Sequence, residues 1–383
     1  MMKKYRLILS IILVVCVTST SLSFSKAQQT TLYEKTISPA RTVPFNAHSY
    51  LPRYLPSMPL SIVHDDVDDP SFIPVNVSLQ DDSFHNSNEL QYTEWWYFDA
   101  ELSNNYTMQF SIHVYNILTM SFISVNYNVY HNGISLSDHR TIYPFSDFNL
   151  SSEEPYIELQ NGALRMIGLV GPYQDTLYYH ISYNIENSSM DLYYRSMTDG
   201  WKGTTSAGDW AVMLPKASVS GTLTINETKI RVSGIGYHDH NWNVTISAGL
   251  NFGWMWGKTN TESYTITWAD ILTTWFYGTP IIVGNRQYNG FYPISPEHIT
   301  ISVTKITFKD GFIIPYGFYL TGETDNSTIT MDISVIDTDY TTILGIVNYW
   351  RYHVHTQGTI TLEGHTETID DYNIAEFIRF RFY

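Results

Sequence analysis

The chain has 383 residues, 21 Lys+Arg against 37 Asp+Glu, a formal net charge of −16 and a single cysteine. That acidic balance argues against nucleic acid or an anionic membrane surface as a partner, and one thiol excludes a disulfide framework within the chain. Aromatic residues make up 15%, with 30 Tyr and 10 Trp, a composition suited to half-buried sheet faces or to the lining of a pocket.

Residues 1–27 open with Lys3, Lys4 and Arg6, continue through the apolar run Leu7–Val17 and reach the small-x-small site Ser25-Lys26-Ala27. This order predicts a secretory signal peptide; the run is shorter than the ~20 apolar residues that span a bilayer. An exported protein is therefore expected, with proximity to a membrane if the leader stays attached. Its removal takes Cys16 away and leaves 356 residues, with 17 cations against 37 acids and a net charge of −20. No thiolate ligand or cysteine nucleophile then exists. At ~100–200 residues per domain, the remainder predicts two domains. Seven Asn-x-Ser/Thr triplets, at Asn76, Asn105, Asn149, Asn187, Asn226, Asn243 and Asn326, are compatible with export.

Residues 28–75 read as an extended lead-in with scattered prolines. Its acidic cluster His64-Asp-Asp-Val-Asp-Asp-Pro70 lacks the spaced ligands and glutamate of a calcium loop, so solvated charge is expected there.

From residue 76 onward, short segments rich in β-branched and aromatic residues follow one another, each ended by Asn, Gly, Asp or Pro. They include Thr93–Phe98, Thr107–His113, Phe122–Tyr130, Thr176–Tyr183, Ala217–Ile225, Tyr264–Trp268, Ile299–Phe308, Thr328–Val335 and Glu376–Phe382. No segment sustains a helical period over fifteen residues. The prediction is all-β, with barrels over 76–243 and 244–383, and a barrel with room inside would offer an apolar cavity. Tyr127–Leu136 and Leu223–Val232 are predicted hairpins.

The densest polar chemistry lies in Gly234-Ile-Gly-Tyr-His-Asp-His-Asn-Trp-Asn243. On a strand, His238 and His240 share one face while Asp239 and Asn241 take the other. Three readings compete. The His-x-His pair is a metal half-site that Glu94, Asp270 or His353 would have to complete. A carboxylic acid in an apolar cavity, paired with an imidazole, is an acid/base site. Alternatively, Asp239 and Asn241 satisfy backbone groups at a strand end while Trp242 plugs the barrel mouth. In Glu94-Trp-Trp-Tyr-Phe98, Trp95 and Tyr97 face opposite to Trp96 and Phe98, and Glu94 is costly if buried without a partner. Trp254 and Trp256 share a face, as do Trp268 and Asp270; stacked indoles of this kind hold cations or simply pack a core. No nucleotide or phosphate fingerprint appears.

Four pieces in order resemble the carotenoid 1,2-hydratase (hydroxyneurosporene synthase) family and its lipocalin-like relatives, which include fungal pericyclases. They are Asp82-Ser-Phe-His85 with Glu94–Phe98; Val219–Thr224 leading to Tyr237–Trp242; Trp254–Lys258; and Tyr264–Leu272, with a weaker echo at Tyr349-Trp350 and Glu376. The resemblance implies two lipocalin-like barrels and cofactor-free addition of water to a terminal trisubstituted alkene of a long isoprenoid; a lone His-x-His being a weak metal signal, no metal is expected. Trp268 stands where that pattern carries a tyrosine. On this footing Asp270, or else Asp239, is the expected proton donor and His240 the base. Trp242, Trp268, Trp256, Trp254, Trp95, Tyr97, His238 and Glu94 are the expected contacts to an apolar ligand. A noncatalytic lipid or carotenoid carrier and a pericyclase-like enzyme remain the alternatives.

Overall fold

A computed structural model describes residues 72–87, 89, 91–117, 120–172, 176–245, 251–273, 278–343 and 347–380, with the backbone of Leu60–Ser61. The expected leader and the acidic cluster at 64–70 lie outside the described residues.

Alternating apolar and polar side chains build two consecutive antiparallel sheets, as expected. In the first, Gln91–Leu102, Tyr106–Ile117, Met120–His131 and Ile134–Pro144 pair in succession, and a 3-10 turn, Phe145–Asp147, leads to the opposite edge. From there Phe148–Leu150, Tyr156–Leu159, Leu164–Val170, Leu177–Ile185, Ser188–Ser196 and Gly208–Ile225 follow, until Thr228–Thr245 pairs back onto Gln91–Leu102. The second sheet repeats the plan. Gly253–Asn260, Tyr264–Leu272, Gly278–Arg286 and Phe291–Ile294 precede the turn Pro296–His298. Ile299–Lys309, Phe312–Thr324, Ser327–Ile343, Val347–Leu362 and His365–Arg379 complete it, the last pairing back onto Gly253–Asn260. In the first sheet a single turn joins the two outermost strands; in the second it joins Phe291–Ile294 to Ile299–Lys309, which the short strand Leu60–Ser61 flanks at the edge, and both sheets curl into a barrel-like form.

Both predicted hairpins are present. Asn132-Gly133 joins Met120–His131 to Ile134–Pro144 with φ of 51° and 76°, the left-handed pair that a two-residue hairpin turn requires. Asn226-Glu227 does the same at 49° and 65° between Gly208–Ile225 and Thr228–Thr245.

The first sheet encloses a packed cluster containing Trp96, Phe98, Phe110, Tyr127, Tyr183 and Tyr194, and the second encloses Met255, Trp268, Phe318, Trp350, Tyr352 and Phe377. A third cluster, with Tyr97, Trp201, Trp210, Tyr237, Trp256 and Ile281, lies between the sheets. The expectation of an apolar hollow within a barrel is thus corrected for the first sheet. Its bulky rings, several of them fully buried, occupy the interior.

Candidate functional site

The strands Gln91–Leu102 and Thr228–Thr245 are paired, so Tyr97 sits opposite Asp239 and Trp96 opposite His240. Two glycines permit the close fit: a Cβ on Gly234 would meet the Glu101 carbonyl oxygen at 1.9 Å, and one on Gly236 would meet the Tyr194 ring at 2.5 Å. Alternation then divides the chemistry of both motifs between two faces, as the sequence predicts.

The inner face holds His238, His240, Glu94 and Asp82, all fully buried. Glu94 Oε1 lies 2.9 Å from His240 Nε2 and 3.0 Å from His85 Nδ1, and Oε2 accepts from Tyr92 OH at 2.8 Å. The backbone N–H of His85 donates to the same carboxylate at 3.0 Å. Burial works to raise the Glu94 pKa, but the bonds and charges of His240 and His85 outweigh it and hold it below the usual range. His240 Nδ1 lies 3.1 Å from the Asp81 carbonyl oxygen; His238 bridges Asp82 Oδ2 at 3.0 Å and the Tyr97 carbonyl oxygen at 2.9 Å. Rings cover the three imidazoles: Trp96 stacks on His240 at 4.4 Å, Phe98 on His238 at 3.7 Å and Trp242 on His85 at 4.1 Å. With both nitrogens of His240 engaged, its expected role as the water-activating base is not supported. The carboxylate that orients it is Glu94.

The outer face points toward the second sheet. Asp239 is buried, its Oδ2 accepting from Tyr237 OH at 2.8 Å and from the Trp210 indole N–H at 3.0 Å, with Asn241 3.4 Å from Oδ1. Desolvation pushes this carboxyl up to about 7, opposed by its bonds to Tyr237 and Trp210 and reinforced by the charge of Glu376. Tyr237 and Tyr97 both pack against Trp256, at 5.3 Å and 5.8 Å, and Trp95 stacks on Trp254 at 6.0 Å. The hydroxyl of Tyr97 and the indole N–H of Trp256 are buried with no hydrogen-bond partner. Trp95, Asn241 and Trp254 are half-buried and form the rim. Below it, Lys258 pairs with Asp99 at 3.2 Å and Arg351 donates to Tyr130 OH and Tyr349 OH, both at 3.1 Å. Tyr349 OH donates to Glu376.

Asp270 stands apart. Register puts it beside Met255 and Pro280, on the same face as Trp268 and inside the second sheet, whereas His240 faces the interior of the first. The expected convergence of His240 and Asp270 in one chamber is therefore corrected: the two strands belong to separate sheets, and alternation turns the two groups into different cores. Both carboxyl oxygens of Asp270 are buried without a partner, directly over Gly278, where a Cβ would meet Oδ1 at 2.0 Å. Desolvation alone raises it to about 7. A folded pKa above the unfolded value of 3.8 means that the native state binds the extra proton, so stability falls as pH rises from about 4 to about 7 and is level above. Asp270→Asn is expected to remove one proton equivalent from that slope, worth on the order of 4 kcal/mol at most for a shift of this size. Urea unfolding at pH 4.5 and 8 would measure it, and an unchanged slope would refute the assignment.

Trp268 lies in the second core, its indole packed over Gly257. Trp242 belongs to the first core, at the edge where His85 emerges. Neither reaches the inter-sheet face. His353, a possible third metal ligand in the sequence, instead lies 3.5 Å from Asp339. His85, Tyr92 and Asp82 on the inner face, and Tyr237, Trp210, Arg351 and Glu376 on the outer, were not among the expected site residues. Of these, His85, Asp82, Tyr237 and Glu376 did fall within the resembling motifs, the available signal for them.

No family profile matches the chain. The quinolone epoxide rearrangement protein asqO of Emericella nidulans is 34% identical over 58 residues, a match covering 15% of this chain and 16% of that protein. A solved structure designated AttH, from Nitrosomonas europaea, superposes with a TM-score of 0.59 at 11% identity, over 80% of this chain and 98% of the other. The two share a fold. Kievitone hydratase from Nectria haematococca aligns with a TM-score of 0.48 at 11% identity, over 79% and 93% of the respective chains.

Proposed function

We propose that this chain is an acid/base enzyme that adds water to a terminal C=C of an apolar, isoprenoid-type substrate bound between the two sheets, with Asp239 as proton donor. One observation carries the reading: a buried carboxyl, pushed up to about 7 by desolvation, lies on an inter-sheet face rimmed by indoles. At neutral pH such a group is substantially protonated, and it can deliver that proton to an alkene carbon. The π bond supplies the electron pair for the new C–H bond, leaving a tertiary carbocation. The faces of Trp95, Trp254 and Trp256 can hold that cation, an interaction worth ~2 kcal/mol or more where water is excluded. Water then forms the C–O bond and loses a proton to the Asp239 carboxylate, which restores the acid. The reaction as written draws on no cofactor.

Export through residues 1–27 belongs to the same proposal, supported by the order of cations, apolar run and small residues in the leader. The test is incubation of the full-length protein with an acyclic carotenoid in labelled water. Label in a tertiary alcohol supports hydration. Tight binding without label would make the chain a carrier, and an isomerised, unlabelled product would make it a pericyclase-like enzyme.

A further inference from the structure

Around His240 the donors and acceptors do not balance. Its Nδ1 lies 3.1 Å from the Asp81 carbonyl oxygen, which can only accept, so Nδ1 carries the ring proton. In a neutral ring Nε2 then presents a lone pair, yet it faces another acceptor, Glu94 Oε1, at 2.9 Å. The same oxygen lies 3.0 Å from His85 Nδ1. Among the described residues, His85, Glu94 and His240 form a group whose ligand atoms all lie within 4.8 Å of one another. Zinc bonds of ~2.0–2.2 Å at tetrahedral angles set neighbouring ligand atoms roughly 3.3 Å apart. The two spacings from Glu94 Oε1 to the imidazole nitrogens are only a few tenths of an ångström shorter.

We propose that His85 Nδ1, Glu94 Oε1 and His240 Nε2 form a site for a divalent cation of the zinc class, with a fourth position open to water. Two imidazoles and one carboxylate suit zinc, iron or nickel better than magnesium or calcium. The outer partners are those of a metal centre: the Asp81 carbonyl fixes the His240 tautomer, and Tyr92 OH anchors Glu94 Oε2 at 2.8 Å. Trp96 and Trp242 stack on the two imidazoles and fix their planes. His85 is the entry side, its side chain 26% exposed while Glu94 and His240 are fully buried. The ligands differ from the His238/His240 pair on which a metal reading of the sequence would have rested, because His238 is committed to Asp82. The site lies on the opposite face of the strand pair from Asp239 and does not depend on the proposed hydration.

The test is zinc titration of the chelator-treated full-length chain by calorimetry, with cobalt as spectroscopic probe. One equivalent of zinc and a tetrahedral cobalt spectrum are expected. His85→Ala should weaken zinc binding ~100-fold or more, beyond the 10–100-fold typical of losing an outer partner, whereas His298→Ala, at an exposed turn, should leave it unchanged. Absence of stoichiometric zinc binding, or wild-type affinity in His85→Ala, would overturn the site in favour of a purely structural His240 held between the Asp81 carbonyl and Glu94. If His85→Ala does not fold, proton NMR of the cobalt-loaded wild type decides: shifted His85 and His240 ring signals support the site, and unshifted ones refute it.

Discussion

Glu94→Ala is expected to destabilise the fold by about 3–5 kcal/mol, the range for removing one partner of a buried charged pair. The carboxylate accepts from Tyr92 OH and the His85 backbone N–H and faces the imidazoles of His85 and His240, in a position with no access to solvent. Alanine leaves those groups buried without their acceptor, and each loses more than an ordinary hydrogen bond contributes, because water cannot replace the partner. The loss extends beyond the strand, since Glu94 and His240 also fasten the segment carrying Asp81, Asp82 and His85 across the sheet. Glu94→Gln keeps one accepting oxygen but turns an amide N–H₂ toward a donor, so an intermediate loss is expected. Urea unfolding of both variants in the presence of chelator isolates this contribution from that of any bound metal. A loss below about 1 kcal/mol for the alanine variant would place it among ordinary surface substitutions and refute the role given to Glu94.

Period-two alternation made much of this arrangement legible. It separated His238 and His240 from Asp239, and Trp96 and Phe98 from Trp95 and Tyr97, and the pairing of Tyr97 with Asp239 and of Trp96 with His240 bears out both divisions. The Asn132-Gly133 and Asn226-Glu227 turns were legible for a similar local reason, since short loops between alternating runs restrict the backbone to a few conformations. Which interior each face addresses was not legible. Nothing local in Trp268-Ala-Asp270 says that Asp270 points into the second sheet, because closure onto Gly253–Asn260 and His365–Arg379 is set by pairings more than a hundred residues apart in the chain. The segment Ser78–His85 escaped for another reason: it is a 3-10 turn followed by irregular chain, and without a period its side chains cannot be assigned a direction. Asp82 and His85 were therefore visible only as part of a resembling motif, and their partners His238 and Glu94 emerged from the folded arrangement.

Asp239→Asn is expected to reduce turnover by ~10²–10⁴-fold, the range attributed to a positioned general acid, while leaving polyene binding unchanged. The amide matches the carboxyl in size, and its oxygen can still accept from Tyr237 OH or the Trp210 indole, which donate to Asp239 Oδ2 in the wild type. What it lacks is a proton of suitable acidity. The pH profile sharpens the assignment. Burial raises the carboxyl from 3.8 to about 7 and Glu376 adds to the shift, so the competent form is fully populated below that value. Turnover should then fall about tenfold for each pH unit above it, and Glu376→Gln, by removing the neighbouring negative charge, should move the break to lower pH. A structural role for Asp239 would instead lower binding and stability together and leave the position of the break untouched. If Asp270→Asn abolished turnover while Asp239→Asn preserved it, the donor would lie in the core of the second sheet, and the alkene would have to enter that core rather than the face between the sheets.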